Sequence, residues 1–223
     1  MPLPWAITPL TRQRPGILAW RRTYLSTTRA LPRRYYNVSP EASSDPKSRI
    51  LADPERPDLF YHLFEAPSAV SATNHVFGLS FLRASRPGED ARSPRIIGYL
   101  PATEAGHAIE AGLNDFRENP AFRKILHKAV LEGLEEGVDE VQANGARQLQ
   151  EGWMHIHDER NIPPLGRIGD PDDIIASVRV QDGKFLTDTY QPMPAYRMCT
   201  SDGVLKLTEG LAQKLKQVLE RDT

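Results

Sequence analysis

The stretch that decides the fold is residues 174–189, IIASVRVQDGKFLTDT. Its two halves, 174–180 and 184–189, are rich in the branched and aromatic side chains that favour β-strands. The Asp182-Gly183 pair between them is typical of a two-residue hairpin turn, in which both central residues adopt positive φ. The sequence therefore predicts a pair of neighbouring antiparallel strands at this point.

Strand-like segments and helices occur on both sides of this hairpin. The clearest helix begins at Asn119-Pro120, because Asn suits the N-cap and Pro the first helical position, and it ends at Gly137. A last helix is expected from about 209 to 221 with Thr208 as its cap, and a further one over 138–149. The other predicted strands are 59–65, 75–83, 95–100, 152–157 and 195–200. Since strands and helices do not alternate regularly, we predict an α+β fold: a single domain with a largely antiparallel sheet, a central helical section and a C-terminal helix.

Charge is distributed very unevenly along the chain. The 223 residues carry a net charge of −1, but the first 40 contain seven arginines and no lysine, aspartate or glutamate. This stretch is also rich in Ser and Thr and is amphipathic on a helix, which is the composition of a mitochondrial transit peptide. We predict a transit peptide over residues 1–35, with processing after Arg33-Arg34-Tyr35 or after Arg22-Thr23-Tyr24. The alternative is a basic arm that binds nucleic acid or anionic lipid.

The remaining chain is acidic and is predicted to form one domain. Residues 36–57 contain four prolines and small polar side chains, and we interpret them as a linker before a domain over 58–223. The residues after position 40 hold 21 basic and 29 acidic side chains, which argues against nucleic acid as a partner. Cys199 is the only cysteine, so an intramolecular disulfide is excluded. With no run of 18 apolar residues, we predict no transmembrane segment and expect a soluble protein of the mitochondrial matrix.

Two histidines form the sharpest chemical pattern in the sequence. In a strand, His155 and His157 point to the same face, about 6.6 Å apart along it. They are candidate ligands of a divalent metal, with Glu159 as a third ligand. The spacing resembles that of metallo-β-lactamases, but Asp158 and Arg160 break the rest of that pattern. The alternative is a half-exposed strand whose histidines face solvent or pair with nearby acids.

Three further patterns have structural explanations. The segment Gly166-Arg167-Ile168-Gly169 matches the GxxG loop of nucleic-acid-binding KH domains, but neighbouring prolines and acids oppose that role. Asp170-Pro171-Asp172-Asp173 is a carboxylate cluster that a capped helical turn explains. Cys199 lacks any flanking signature of a catalytic nucleophile. We therefore assign no catalytic residue and no cofactor beyond the divalent metal considered above.

Four segments resemble a group of uncharacterised fungal mitochondrial proteins. They are 49–58 (RILADPERPD), 152–155 (GWMH), 169–174 (GDPDDI) and 190–194 (YQPMP), and the resemblance covers most of residues 49–220. The group has no assigned activity, so the resemblance implies a compartment and no catalytic residue.

These observations leave two classes of function. The first is a non-catalytic accessory or assembly factor that binds another mitochondrial protein. The alternative is a small matrix enzyme, such as a metal-dependent hydrolase that uses the His155/His157 pair.

Overall fold

The computed structural model describes residues 50–84, 90–102, 113–163 and 167–222. Within these ranges the chain forms α-helices and antiparallel sheets, which confirms the predicted α+β class. The predicted transit peptide, residues 1–35, lies outside the described residues. None of the described helices combines the length and the apolar character that crossing a membrane requires.

The first sheet is an antiparallel meander of five strands in chain order. Its strands are β1 (Ile50–Ala52), β2 (Phe60–Phe64), β3 (Val76–Ser80), β4 (Gly98–Pro101) and β5 (Arg117–Glu118). Strands β2, β3 and β4 confirm three of the predicted segments. β1, however, falls inside the predicted linker 36–57, so regular structure is already present before Asp58. The physical reason is Asp53, whose buried carboxylate accepts hydrogen bonds from the Arg56 backbone and the Tyr61 hydroxyl and thereby ties the turn to β2.

The second sheet has three antiparallel strands in the order β6-β7-β8. They are β6 (Gly152–His157), β7 (Ile174–Gln181) and β8 (Lys184–Pro192), all close to the predicted segments. Asp182 and Gly183 have φ values of 52° and 69°, which confirms the predicted hairpin turn. The predicted strand 195–200 is wrong in extent. Only β9 (Cys199–Thr200) is extended, paired with β10 (Gly203–Val204), because Tyr196 closes a turn by donating its N–H to the Met193 carbonyl.

All three predicted helices are present, as α1 (Pro120–Glu136), α2 (Glu140–Leu149) and α3 (Glu209–Arg221). The Asn119 side chain caps α1 by accepting from the Ala121 N–H at 3.0 Å, and Gly137 ends the helix with a φ of 64°. Thr208 occupies the N-cap position of α3 as predicted, but its side chain makes no capping bond. Its hydroxyl is instead buried, with no hydrogen-bond partner in the described part of the chain.

A main hydrophobic core joins most of these elements, and Ala91, Ile96 and Tyr99 form a second, smaller cluster. The inner faces of both sheets and the apolar sides of α1 and α3 contribute to the main core, through residues such as Leu79, Phe122, Val178 and Leu215. β7 is buried at almost every position, whereas its outward-facing Arg179 is exposed. The outer face of the second sheet therefore presents polar and aromatic side chains away from the core.

Candidate functional site

β6 brings the two predicted histidines together. His155 and His157 lie two residues apart on the strand, and their ring centroids are 6.2 Å apart with the planes at 83°. Trp153, two residues earlier in the alternation, is 48% exposed, while Ile156 on the opposite face is fully buried in the core. The alternation of the strand therefore places an aromatic side chain and two imidazoles in one row.

The two imidazoles have different surroundings. His155 Nδ1 is 2.8 Å from the Ser177 hydroxyl on β7. His157 Nδ1 is buried and has no hydrogen-bond partner among the residues that the structure describes. Its ring lies so close to Gly169 that a methyl group there would be 2.9 Å from Nδ1. Burial, followed by the neighbouring His155, lowers the pKa of His157, although Asp173 opposes this shift. His157 is therefore neutral at pH 7.

Glu159 does not complete a compact ligand set with these histidines. Within the described ranges, the one group of three acidic, histidine or cysteine side chains with ligand atoms within 4.8 Å is Asp170, Asp172 and Asp173. Glu159 instead continues the chain out of β6, where its N–H donates to the Lys206 carbonyl. Metal binding by His155, His157 and Glu159 stays a prediction.

The aspartate cluster has protein partners of its own. Pro171–Asp173 forms a short 3₁₀ turn after Asp170, which agrees with the structural interpretation of this motif, although the Asp170 side chain makes no capping bond. The Asp173 carboxylate accepts from Arg160 Nε at 2.7 Å and from Asn161 Nδ2 at 2.9 Å. The most buried carboxylate of the cluster is therefore already neutralised by a guanidinium.

Sequence reasoning missed a buried charged network around Arg160. The side chains of Arg160 and Asp158 are 2% and 0% exposed. The Asp158 carboxylate accepts from the Tyr196 hydroxyl and the Lys206 N–H, each at 2.9 Å. Besides Asp173, the guanidinium donates to three backbone carbonyls, those of Asp172, Arg197 and Gly203. The only sequence sign was the Asp-x-Arg spacing just after β6, which does not by itself reveal burial.

This network is closed to solvent, and its groups are matched to one another. Burial raises the pKa of Asp158, and the nearby Arg160 partly offsets that rise. Burial also raises the pKa of Tyr196 well above 10, so the phenol remains a hydrogen-bond donor to Asp158. The network joins the end of β6 to the 3₁₀ turn and to the β9–β10 hairpin. We therefore assign it a structural role.

Cys199 lies beside this network but is not activated by it. Burial raises the pKa of its thiol to about 11, although Arg160 and Arg197 act in the opposite direction. The thiol is therefore protonated at neutral pH. Because the thiolate is the reactive form of cysteine, this agrees with the lack of a nucleophile signature around Cys199, which is half-buried.

Large exposed apolar side chains occur on β6 and in the loop that follows it. Trp153 is accompanied by Ile162 and Ile168, which are 68% and 79% exposed. Pro163 follows Ile162 in the chain, and Gly169 follows Ile168. Pro163 and Gly169 lie next to each other at the His157 ring. We call the row Trp153, His155 and His157, together with Ile162 and Ile168, the β6 surface. Other exposed apolar residues, Val138, Val141 and Leu149, belong to the α2 region.

β6 is also an edge strand. In the part of the chain that the structure describes, β7 pairs with one side of β6 and no strand pairs with the other. The backbone of 152–157 makes no hydrogen bond to described residues outside its ladder with β7. Natural edge strands are commonly protected by Lys, Pro or inward-pointing charge, yet the sequence GWMHIH contains none of these. Its edge is therefore competent to pair with another chain.

No protein-family model matches this sequence, and comparisons with curated proteins and with solved structures found no match. The resemblance to fungal mitochondrial proteins stays a prediction, and the functional argument rests on geometry.

Proposed function

We propose that this protein is a non-catalytic accessory or assembly factor that binds another protein through the β6 surface. The observation that carries the proposal is the coincidence of an open strand edge with an exposed tryptophan, Trp153, on the same strand. An exposed apolar group on an unprotected edge favours association, and tryptophan is among the residues that contribute most to protein interfaces.

The exposed apolar side chains of the β6 surface can contribute free energy to binding. A tryptophan buries about 200 Å² or more when it is fully covered, so covering the exposed half of Trp153 removes roughly 100 Å² from water. At about 25 cal/mol per Å², this contributes roughly 2.5 kcal/mol. Ile162 and Ile168 are more exposed still and add a similar amount each. Each of these side chains offers exposed apolar area that an interface can cover.

The buried charges support the non-catalytic part of the proposal. Asp158, Arg160 and Asp173 form the most buried charged cluster that we identify, and all three are satisfied by protein partners. A catalytic cluster needs groups that reach a bound substrate. In this network the charges instead fix the loop after β6, which holds the β6 surface in place.

The proposed compartment is the mitochondrial matrix. Seven arginines without an acidic residue in the first 40 positions support it, because the membrane potential favours inward movement of each positive charge by about 2.3 kcal/mol per 100 mV. A fluorescent fusion of the full chain is expected in mitochondria, and the same fusion without residues 1–35 is expected in the cytosol. Mitochondrial targeting of the shortened fusion would contradict this assignment.

The docking proposal is tested by quantitative affinity purification of the tagged full chain from mitochondria. The unchanged chain is expected to capture one defined partner in an amount nearly equal to its own. Trp153→Asp is expected to lose this partner. Val141→Asp is the matched control, because Val141 is 60% exposed but lies on α2. Retention of the partner by Trp153→Asp, or its equal loss from both variants, would contradict the proposal.

A metal-dependent hydrolase that uses His155, His157 and Glu159 is the second candidate. The unpaired, buried Nδ1 of His157 beside His155 favours it, because buried polar atoms normally have a partner. Metal analysis of the purified protein separates the two functions. One equivalent of zinc, iron or manganese that is lost in His155→Ala would support the hydrolase, whereas a metal-free protein with a defined partner supports the accessory factor.

A further inference from the structure

We infer that the partner joins the second sheet as an added strand along the free edge of β6. The added segment has apolar or aromatic side chains at alternate positions and a basic residue near each end. This inference rests on the proposed docking function and specifies the partner that the β6 surface fits.

The backbone of β6 provides the template. Its six residues extend over about 20 Å, and roughly half of the N–H and C=O groups of an edge strand point away from its neighbour. Strand addition satisfies such groups by main-chain hydrogen bonds, and pockets for alternate side chains then give specificity. The absence of Lys, Pro or acid within 152–157 means that no side chain of β6 opposes this pairing.

The row of outward side chains determines the alternation. Trp153, His155 and His157 occur at every second position, so an added strand places its own alternate side chains directly opposite them. Side chains opposite each other in an antiparallel pair have Cβ atoms about 4.5–5.5 Å apart, and aromatic and β-branched pairs are favourable at that distance. Because His157 is half-buried and His155 is already bonded to the Ser177 hydroxyl, this row favours apolar partners.

Two glutamates at the ends of β6 determine the charge of the partner. Glu151 immediately precedes β6, and Glu159 follows the strand by two residues in a turn, so each end of β6 carries one acidic side chain. Neither forms an ion pair with any other residue that the structure describes. An added strand with Lys or Arg near each end brings one cation close to each glutamate. Opposite charges that come close across a strand pair stabilise it.

The same glutamates disfavour a second copy of this chain as the added strand. In an antiparallel self-pairing centred on His155, the end of β6 that carries Glu151 in one copy meets the end that carries Glu159 in the other, and this occurs twice across the two-fold axis. Like charges that come close across a strand pair destabilise it. The charge pattern therefore favours a different, basic-ended partner.

The test uses the full chain and the nonapeptide Lys-Thr-Val-Thr-Tyr-Thr-Val-Thr-Lys, which carries one lysine at each end for the glutamate at each end of β6. We expect this peptide to bind and to slow amide hydrogen exchange in 152–157. A peptide with the same side chains but with N-methyl groups at alternate amides is expected to bind at least tenfold more weakly, because strand addition needs those N–H groups. A peptide with glutamate at both ends is also expected to bind at least tenfold more weakly.

Charge reversal in the protein supplies the matched comparison. The double variant Glu151→Lys/Glu159→Lys is expected to prefer the glutamate-ended peptide over the lysine-ended one. Glu135→Lys, an exposed reversal on α1, is expected to bind both peptides like the unchanged chain. Equal binding of the N-methylated peptide, no binding of the lysine-ended peptide, or no protection of β6 would overturn the inference. A concentration-dependent dimer with protected β6 amides would overturn it in favour of self-pairing.

These outcomes are distinguishable from failure of the docking function. If Trp153→Asp abolishes capture of the mitochondrial partner while β6 amides stay unprotected in the complex, strand addition is wrong and docking stands. If Trp153→Asp leaves capture unchanged, the docking function itself is wrong.

Discussion

Replacing Arg160 by methionine is expected to destabilise the protein strongly. Methionine keeps much of the length of the side chain but removes the guanidinium, so the change isolates the role of the charge. If the network around Arg160 is structural, removal of the guanidinium lowers the free energy of unfolding. A catalytic arginine would instead lower activity with little loss of stability, because active sites are often strained.

The magnitude follows from what the guanidinium contacts. Its loss leaves the carboxylates of Asp158 and Asp173, which are 0% and 3% exposed, without their buried cation. It also leaves three backbone carbonyls without this donor. Removing one partner of a buried ion pair costs about 3–5 kcal/mol. We therefore expect a loss of about 4 kcal/mol. This is a large part of the total stability of a domain, which is only about 5–15 kcal/mol.

Urea denaturation at pH 7 measures this loss. With a slope of about 2 kcal/mol per molar urea, the midpoint is expected to fall by about 2 M. Arg147→Met is the control, because Arg147 is 60% exposed and its ion pair with Glu140 has a distance of 3.8 Å. That control is expected to change stability by less than about 0.5 kcal/mol. A loss below about 1 kcal/mol for Arg160→Met would refute the structural assignment.

Three further predictions concern stability. Burial lowers the pKa of His127 to about 4, below its unfolded value of 6.5. The free energy of unfolding should therefore fall by about 1–2 kcal/mol as the pH decreases from 6.5 to 4. Denaturation of His127→Gln over the same pH range should not show this decrease. Gly145→Ala should raise the melting temperature slightly, because the added methyl group meets only the flexible end of a methionine. Gly210→Ala should instead lower the free energy of unfolding by about 2 kcal/mol, because its methyl group would lie 2.5 Å from a backbone oxygen. In denaturation experiments, Asn119→Ala should lower the free energy of unfolding by about 3 kcal/mol, because the Asn119 side chain makes three hydrogen bonds. Thr208→Val should change it by almost nothing, because the Thr208 hydroxyl has no partner among the described residues. The opposite order would contradict both assignments.

The elements that sequence predicted well are those with local chemical signals. Asn119 and Gly137 mark the ends of α1 because capping and positive φ depend on only a few neighbouring residues. Asp182-Gly183 marks the β7–β8 turn for the same reason. β1 gave no such signal, because its strand character comes from pairing with β2 and from the long-range contacts of Asp53. Its prolines and small polar neighbours suggested a linker instead.

The candidate site was predictable only in part. The two-residue spacing of His155 and His157 correctly placed their rings side by side, because strand alternation is a local property. Nothing local showed that Arg160 would be buried among groups 12 to 43 residues distant in sequence. The open edge of β6 was equally hidden, because an edge is a property of the whole sheet and not of one strand.

Photo-crosslinking in mitochondria tests the role of the β6 surface most directly. A photoreactive amino acid at position 153 of the full chain is expected to cross-link to one defined protein, and the same amino acid at position 141, on α2, is expected not to. Absence of a cross-link from position 153, or the same cross-linked protein from both positions, would contradict docking through the β6 surface.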